Sequence, residues 1–360
     1  MKPSLLVLAC AAGLLAALPA TGSAATGRDW SQVQLAWRDD PRPPADAPFA
    51  VEVPRSRREA RRAQRRVTTR RVPLDDVPID VGVAAAPAPE IATRVDEPII
   101  HRDQPSTPQP DSRQRFDIML PAGCAGGGHL PLVIWIHGDT WRDGTKADCP
   151  VRWLAEQGYA VASVGYRLSD TATFPAQLDD CRAAVDAIAG NAAVWGIDRE
   201  RIAVVGSAAG GHLAALVGLS GEDGVAAIAA IAAPSHLTTL GPEHDRPSSP
   251  ASQLVGGPLP EFREVAQAAS PLAHVTPGDP PCLIVHGERD DRVPLDQSVK
   301  LDAALRAAGV ESTLVVLEGA GHKPPLDRGS AAGRALLEFL DRTLAPKAAE
   351  PRSVVVPTAY

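Results

Sequence analysis

The chain is 360 residues long, enough for two domains or one large domain with appendages. Its 44% hydrophobic and 22% charged residues can build a sizeable core, which the 4% of aromatics leaves resting on Ala, Val, Leu and Ile. A net charge of −7 argues against a dedicated nucleic-acid binder, and outside the N-terminus no apolar run is long enough to span a membrane.

In chain order, Met1-Lys2 gives a positive start, Leu5 to Leu18 an apolar stretch, and Ser23-Ala24-Ala25 a small-residue cleavage site. This pattern predicts a signal peptide over residues 1–25 and a secreted or periplasmic protein. Cys10 has only nine residues before it, too few for a lipoprotein site, so a lipid-anchored form is not expected. Residues 26–94 are Pro-rich, lack periodicity and read as a low-order extension. They carry 13 Arg against 10 acidic residues, with nine of the arginines between Arg55 and Arg71. That run could bind an anionic surface, or serve as a solvated tether or a strap on the acidic remainder of the chain.

From about residue 114 a regular pattern begins and continues to about 346; residues 347–360 read as a tail. Short apolar runs at Arg115–Leu120, Leu132–Ile136, Ala160–Val164, Arg201–Val205, Val225–Ile231, Cys282–Val285 and Thr313–Leu317 read as strands. Helical segments alternate with them: Cys149–Gln157, Pro175–Ala193, Ala209–Leu219, Asp296–Ala308 and Ala331–Leu344. Fully apolar strands alternating with helices imply an α/β domain, residues 95–346, with a mostly parallel central sheet covered on both faces. Four cysteines follow the leader: Cys124, Cys149, Cys181 and Cys282. In an oxidising compartment a Cys149–Cys181 bridge is the favoured pairing, because both flank helices near one sheet edge; four free, mostly buried thiols are the alternative.

Chemistry in such sheets gathers at the C-terminal ends of strands. Four ends here carry reactive residue types: His137-Gly138-Asp139-Thr140-Trp141, Gly206-Ser207-Ala208-Ala209-Gly210-Gly211-His212, His286 to Pro294 around Asp290, and Glu318-Gly319-Ala320-Gly321-His322. With Tyr166-Arg167-Leu168-Ser169 and Phe174-Pro175-Ala176-Gln177, these stretches resemble the α/β-hydrolase-fold carboxylesterases. The likeness is specifically to the secreted feruloyl-esterase-like branch related to hormone-sensitive lipase, over about residues 114–345. The resemblance implies the α/β-hydrolase fold, Asp290 as the acid and His322 as the base of a catalytic triad, and no cofactor. His137, His212, His286, Asp290 and His322 match hydrolase motif positions on separate loops, so no metal site is expected.

The nucleophile departs from the family pattern. Where Gly-x-Ser-x-Gly is required, Ala208 stands in the serine position without a gap. A methyl group cannot attack a carbonyl, and losing the serine of such a triad costs about 10⁶ in turnover. Ser207 is the candidate substitute, but adjacent strand residues point to opposite faces, which aims its hydroxyl away from His322. The oxyanion loop departs as well. Gly138 and Ala209 remain, while Asp139 and Thr140 replace glycines, placing a carboxylate where negative charge should be stabilised unless Asp139 turns outward to cap the next turn.

The expectation is therefore an exported protein of carboxylic-ester hydrolase descent that is a pseudo-hydrolase, its pocket keeping a small-molecule or ester-like ligand as partner. Two alternatives stand beside it: an active esterase for small or aryl esters using Ser207, and a protein binding anionic surfaces through Arg55–Arg71. The stretch Leu237–Pro260 is expected to form part of a cap over the pocket and carries no readable specificity.

Overall fold

The computed structural model describes residues 70–72, 97–123, 129–221 and 224–345. Residues 1–25 with Cys10, Cys124, the tail and all of the 26–94 extension except residues 70–72 lie outside the described residues, as does most of the Arg55–Arg71 run.

Among the described residues the strands are β1 (Arg70–Val72), β2 (Ile99–Pro105), β3 (Arg115–Leu120), β4 (Leu130–Ile136), β5 (Ala160–Val164), β6 (Ile197–Ser207), β7 (Val225–Ile231), β8 (Cys282–Gly287) and β9 (Ser312–Leu317). They form one sheet in the order β1-β9-β8-β7-β6-β4-β5-β3-β2. All neighbours pair in parallel except β3 with β5 and β2 with β3, which are antiparallel. The helices are α1 (Ala176–Gly190), α2 (Ala192–Trp195), α3 (Ala209–Leu219), α4 (Pro250–Val255), α5 (Arg263–Ala268), α6 (Asp296–Ala307) and α7 (Ala331–Thr343).

Side chains alternate across the sheet with period two, and both sets are apolar because both faces are covered. Ile134, Ile136, Val204, Ile228 and Ile284 face Leu178 and Val185 of α1, Leu213 and Leu216 of α3, and Leu301 and Leu305 of α6. Val133, Trp135, Val205, Leu283 and Val285 face the other way, onto Leu336, Phe339 and Leu340 of α7 and Leu154 of a 3₁₀ turn at Arg152–Gln157. Each fully buried Leu or Ile contributes about 1.5–3 kcal/mol, so these two layers dominate the stability. α7 is amphipathic, with Ala332, Leu336, Phe339 and Leu340 on its inner face, and the Ser330 hydroxyl caps it by accepting from the Gly333 N–H at 3.0 Å. α3 is buried all round, a helix threaded through the core immediately behind the C-terminal end of β6.

Several sequence expectations need correction. Cys149–Gln157 is a 3₁₀ turn confined to Arg152–Gln157, and Pro175–Ala193 divides at Asn191 into α1 and α2. Two edge strands were not foreseen. β2 has mostly exposed residues and lacks an apolar signature, and β1 lies inside the extension read as low order. These two, consecutive among the described strands, occupy opposite edges of the sheet. The Cys149–Cys181 bridge does not form: both thiols are free and buried, as is Cys282. Cys181 packs in the layer of α1 and α3, whereas Cys149 packs in the layer of α7, so the sheet itself separates them.

Candidate active site

The turn from β6 into α3 carries position 208. Ala208 is buried and holds φ 50° and ψ −119°, outside the regions that L-residues favour. Its N–H donates to Ile231 O at 2.8 Å, while its carbonyl accepts the His212 N–H at 2.9 Å and starts the helix. Two glycines make the turn fit. A β-carbon at Gly210 would lie 2.1 Å from Ile136 O, and one at Gly138 would lie 2.3 Å from Ser207 O. The second also would sit 3.7 Å from the Ala208 β-carbon, so the loop after β4 rests directly on the elbow. Strain of this kind persists only where the surroundings over-determine it. Here the sharp turn survives with no reactive atom on it.

The loops after β8 and β9 bring Asp290 and His322 together. The Arg289 N–H donates to Ala320 O at 2.8 Å, and Glu288 accepts the Gly319 N–H, which locks one loop on the other. His322 Nδ1 lies 2.8 Å from Asp290 Oδ2. With Nδ1–H donating there, Nε2 is left as the basic atom, as a general base requires. The Asp290 side chain is fully buried and its other oxygen accepts the N–H groups of Arg292 and Val293, each at 2.9 Å. Burial opposes its charge, yet hydrogen bonds from His286, His322 and those two amides together hold the carboxyl well below the usual carboxylate range. Asp290 is thus a fixed anion that can stabilise an imidazolium at His322.

The loop after β4 carries the remaining site residues. Asp139 has φ 75°, the left-handed conformation that suits glycine and that Asp tolerates better than most residues. Its carboxylate pairs with Lys323 Nζ at 2.5 Å instead of capping the following turn. Thr140 Oγ1 donates to Asp143, and Ala209 is buried at the start of α3. Trp141 Nε1 donates to His212 Nδ1 at 3.2 Å, and His212 Nε2 donates to Ala269 O at 2.6 Å. His137 stacks on Tyr166 at 4.2 Å. Burial pushes both His137 and His212 down to about 4, so they stand as neutral packing groups under the loop. Arg142 reaches Gln253 of α4 at 2.9 Å, which ties the loop to the Leu237–Pro260 segment, a set of 3₁₀ turns and α4.

Ser207 is not drawn into this arrangement. It ends β6 opposite Ile231 with the parity of Ala203 and Val205, and among the described residues no hydrogen bond joins it to His322. Among the described residues, too, no three His, Cys, Asp or Glu side chains converge as a metal site.

Two participants, Lys323 and Gln253, escaped the sequence reading, and a third, His286, was read only as a hydrolase motif position. His286 Nε2 donates to Val293 O at 2.9 Å and lies 3.2 Å from Asp290 Oδ2, while its Nδ1 meets Ser298 Oγ at 2.6 Å, making it a second brace for the acid loop. The four-residue spacing from His286 to Asp290 was visible, but not its geometry. Lys323 and Gln253 had no signal: a lysine and a glutamine in polar loops look solvated until the fold supplies their partners.

The BD-FAE family model matches residues 116–305, and a second, described as TAP-like protein, matches residues 261–350. Esterase LipC of Mycobacterium tuberculosis is 30% identical over 258 residues, 62% of this chain and 61% of its own. The isoprenylcysteine alpha-carbonyl methylesterase ICME of Arabidopsis thaliana is 28% identical over 257 residues, 62% of this chain and 55% of its own. The chain thus spans only 55–61% of the length of these curated relatives. Among solved structures, a truncated carbohydrate esterase from gut microbiota superposes with a TM-score of 0.62 at 24% identity, covering 70% of this chain and 98% of that one, a likeness of fold. The family match runs from β3 through the β6–α3 turn and the Asp290 loop into α6, over more than half the sequence, and places this chain in the α/β-hydrolase carboxylesterase family.

Proposed function

We propose that the chain is an exported pseudo-hydrolase: a carboxylesterase-family protein that holds an ester-like or small-molecule ligand in its pocket without cleaving it. One observation carries the reading. The strained elbow places Ala208 where the family's chemistry needs a hydroxyl, while the acid and base remain joined at 2.8 Å. Acyl transfer needs a nucleophile within about 3 Å of the base, and a methyl offers none. The ester class comes from the relatives, whose names include esterases and carboxylesterases. Export rests on the Met1-Lys2 start, the Leu5 to Leu18 run and the Ser23-Ala24-Ala25 site.

The test is intact mass after exposure to a fluorophosphonate, which adds covalently only to a serine that a base has activated. The parent chain is expected to stay unlabelled and Ala208→Ser to gain one adduct. Labelling of the parent that disappears in Ser207→Ala would replace this reading with that of an active esterase using a displaced nucleophile.

A further inference from the structure

The oxyanion loop and the histidine loop are joined by one ion pair, and neither partner belongs to the acid–base dyad. Asp139 occupies a glycine-type backbone conformation next to Gly138, where an added β-carbon would lie 2.3 Å from Ser207 O and 3.7 Å from the Ala208 β-carbon. Lys323 directly follows His322, and its Nζ meets Asp139 Oδ1 at 2.5 Å, with the lysine 65% and the aspartate 38% exposed. A pair this open to water adds little to folding stability. Its effect is local: an unpaired carboxylate on the loop that supplies the oxyanion-hole amides would repel the negative charge those amides are placed to receive.

We propose that Lys323 is a positioning residue for the oxyanion loop, drawing the Asp139 carboxylate toward the histidine loop and cancelling its charge so that the loop amides stay available to a bound oxyanion. The proposal rests on the reading that the elbow and the Asp290–His322 dyad retain catalytic geometry, and it extends that reading to a residue outside the triad pattern. It also gives the Asp139 replacement a local partner. The lysine one residue past the base compensates the carboxylate that the loop acquired.

The experiment follows fluorophosphonate labelling rates by intact mass in the Ala208→Ser chain. Adding Lys323→Met is expected to slow labelling about tenfold, the size of one uncompensated charge near a partly solvated oxyanion. Lys323→Arg should preserve the rate, and Asp139→Gly added to Lys323→Met should recover it to within about twofold, since the offending charge is then gone. At about 1 M salt, where the Debye length is about 3 Å, the deficit caused by Lys323→Met should shrink, because the carboxylate's repulsion of the oxyanion is then screened. A purely structural lysine would produce neither the recovery nor the salt effect. An unchanged rate in Lys323→Met, or a loss that Asp139→Gly does not recover, overturns the proposal. Should Ala208→Ser take no label at all, the dyad reading fails. The ion pair is then decided in the parent chain by hydrogen exchange of the amides at 138–141, faster in Lys323→Met and unchanged in Lys323→Arg. Equal exchange in all three overturns it.

Discussion

Exchanging a serine for alanine at position 208 deletes one oxygen and leaves the backbone nothing to readjust. Ala208 already stands at φ 50°, its amide on Ile231 and its carbonyl capping the start of α3. The dyad keeps its bonds as well, because Asp290 is held by His286 and two backbone amides independently of any nucleophile. This independence makes Asp290 testable in the Ala208→Ser background. In Asp290→Asn the amide oxygen can keep the Arg292 and Val293 amides, which turns the NH₂ group toward His322 Nδ1. Donation to Nδ1 moves the ring proton to Nε2, where a base must be bare. The labelling rate is expected to fall by about 10³–10⁴, as in other triads whose acid becomes an amide. Measured by timed intact mass, a loss below about tenfold would mean that His322 does not depend on this carboxylate for its tautomer.

At the scale of elements, legibility in the sequence followed burial. β5, β7, β8, β9 and α3 were readable because strands or helices covered on both sides are apolar throughout, so composition alone marks them. β2 was not, because an edge strand with an exposed face carries His101, Arg102 and Asp103 like a loop. The thiol pairing was misjudged for a different reason: distance along a sheet edge says nothing about which face a side chain takes, and Cys149 and Cys181 take opposite ones. The site was legible where a motif encodes backbone geometry, as at Gly206 to Gly210, and illegible where a surface side chain finds a partner 184 residues away, as Lys323 does. The joint between β6 and α3 gives this scale its own prediction. Since a β-carbon at Gly210 would fall 2.1 Å from Ile136 O, backbone against backbone, Gly210→Ala must push α3 off β4. The expected loss is about 2–4 kcal/mol, at or beyond the usual upper range for overpacking, seen as a lower midpoint in urea unfolding. A midpoint unchanged from the parent would mean that α3 does not approach β4 this closely.

For the whole molecule, the buried titratable groups set the acid limit of the fold. His137 and His212 are fully buried, and burial pushes each down to about 4. In the unfolded chain an imidazole titrates near 6.5, so between these values the unfolded state binds protons that the folded state refuses. Stability from both histidines is therefore fully present above about pH 6.5 and is lost as pH falls toward 4, by up to roughly 3 kcal/mol for each. Asp290 acts in the same direction at lower pH. Its folded carboxyl is held below the usual range, so its contribution is present above the unfolded value near 3.9 and disappears as pH falls through the folded one. The molecule should then lose stability in two stages, the histidines first and the carboxylate after. Urea unfolding free energies at about pH 7.5, 5.5 and 4.5 should fall steadily, with the steepest drop between the last two, where both imidazoles are charged only in the unfolded state. A flat profile from pH 7.5 to 4.5 would show that His137 and His212 take up protons in the folded state, and that the floor of the loop after β4 is open to water.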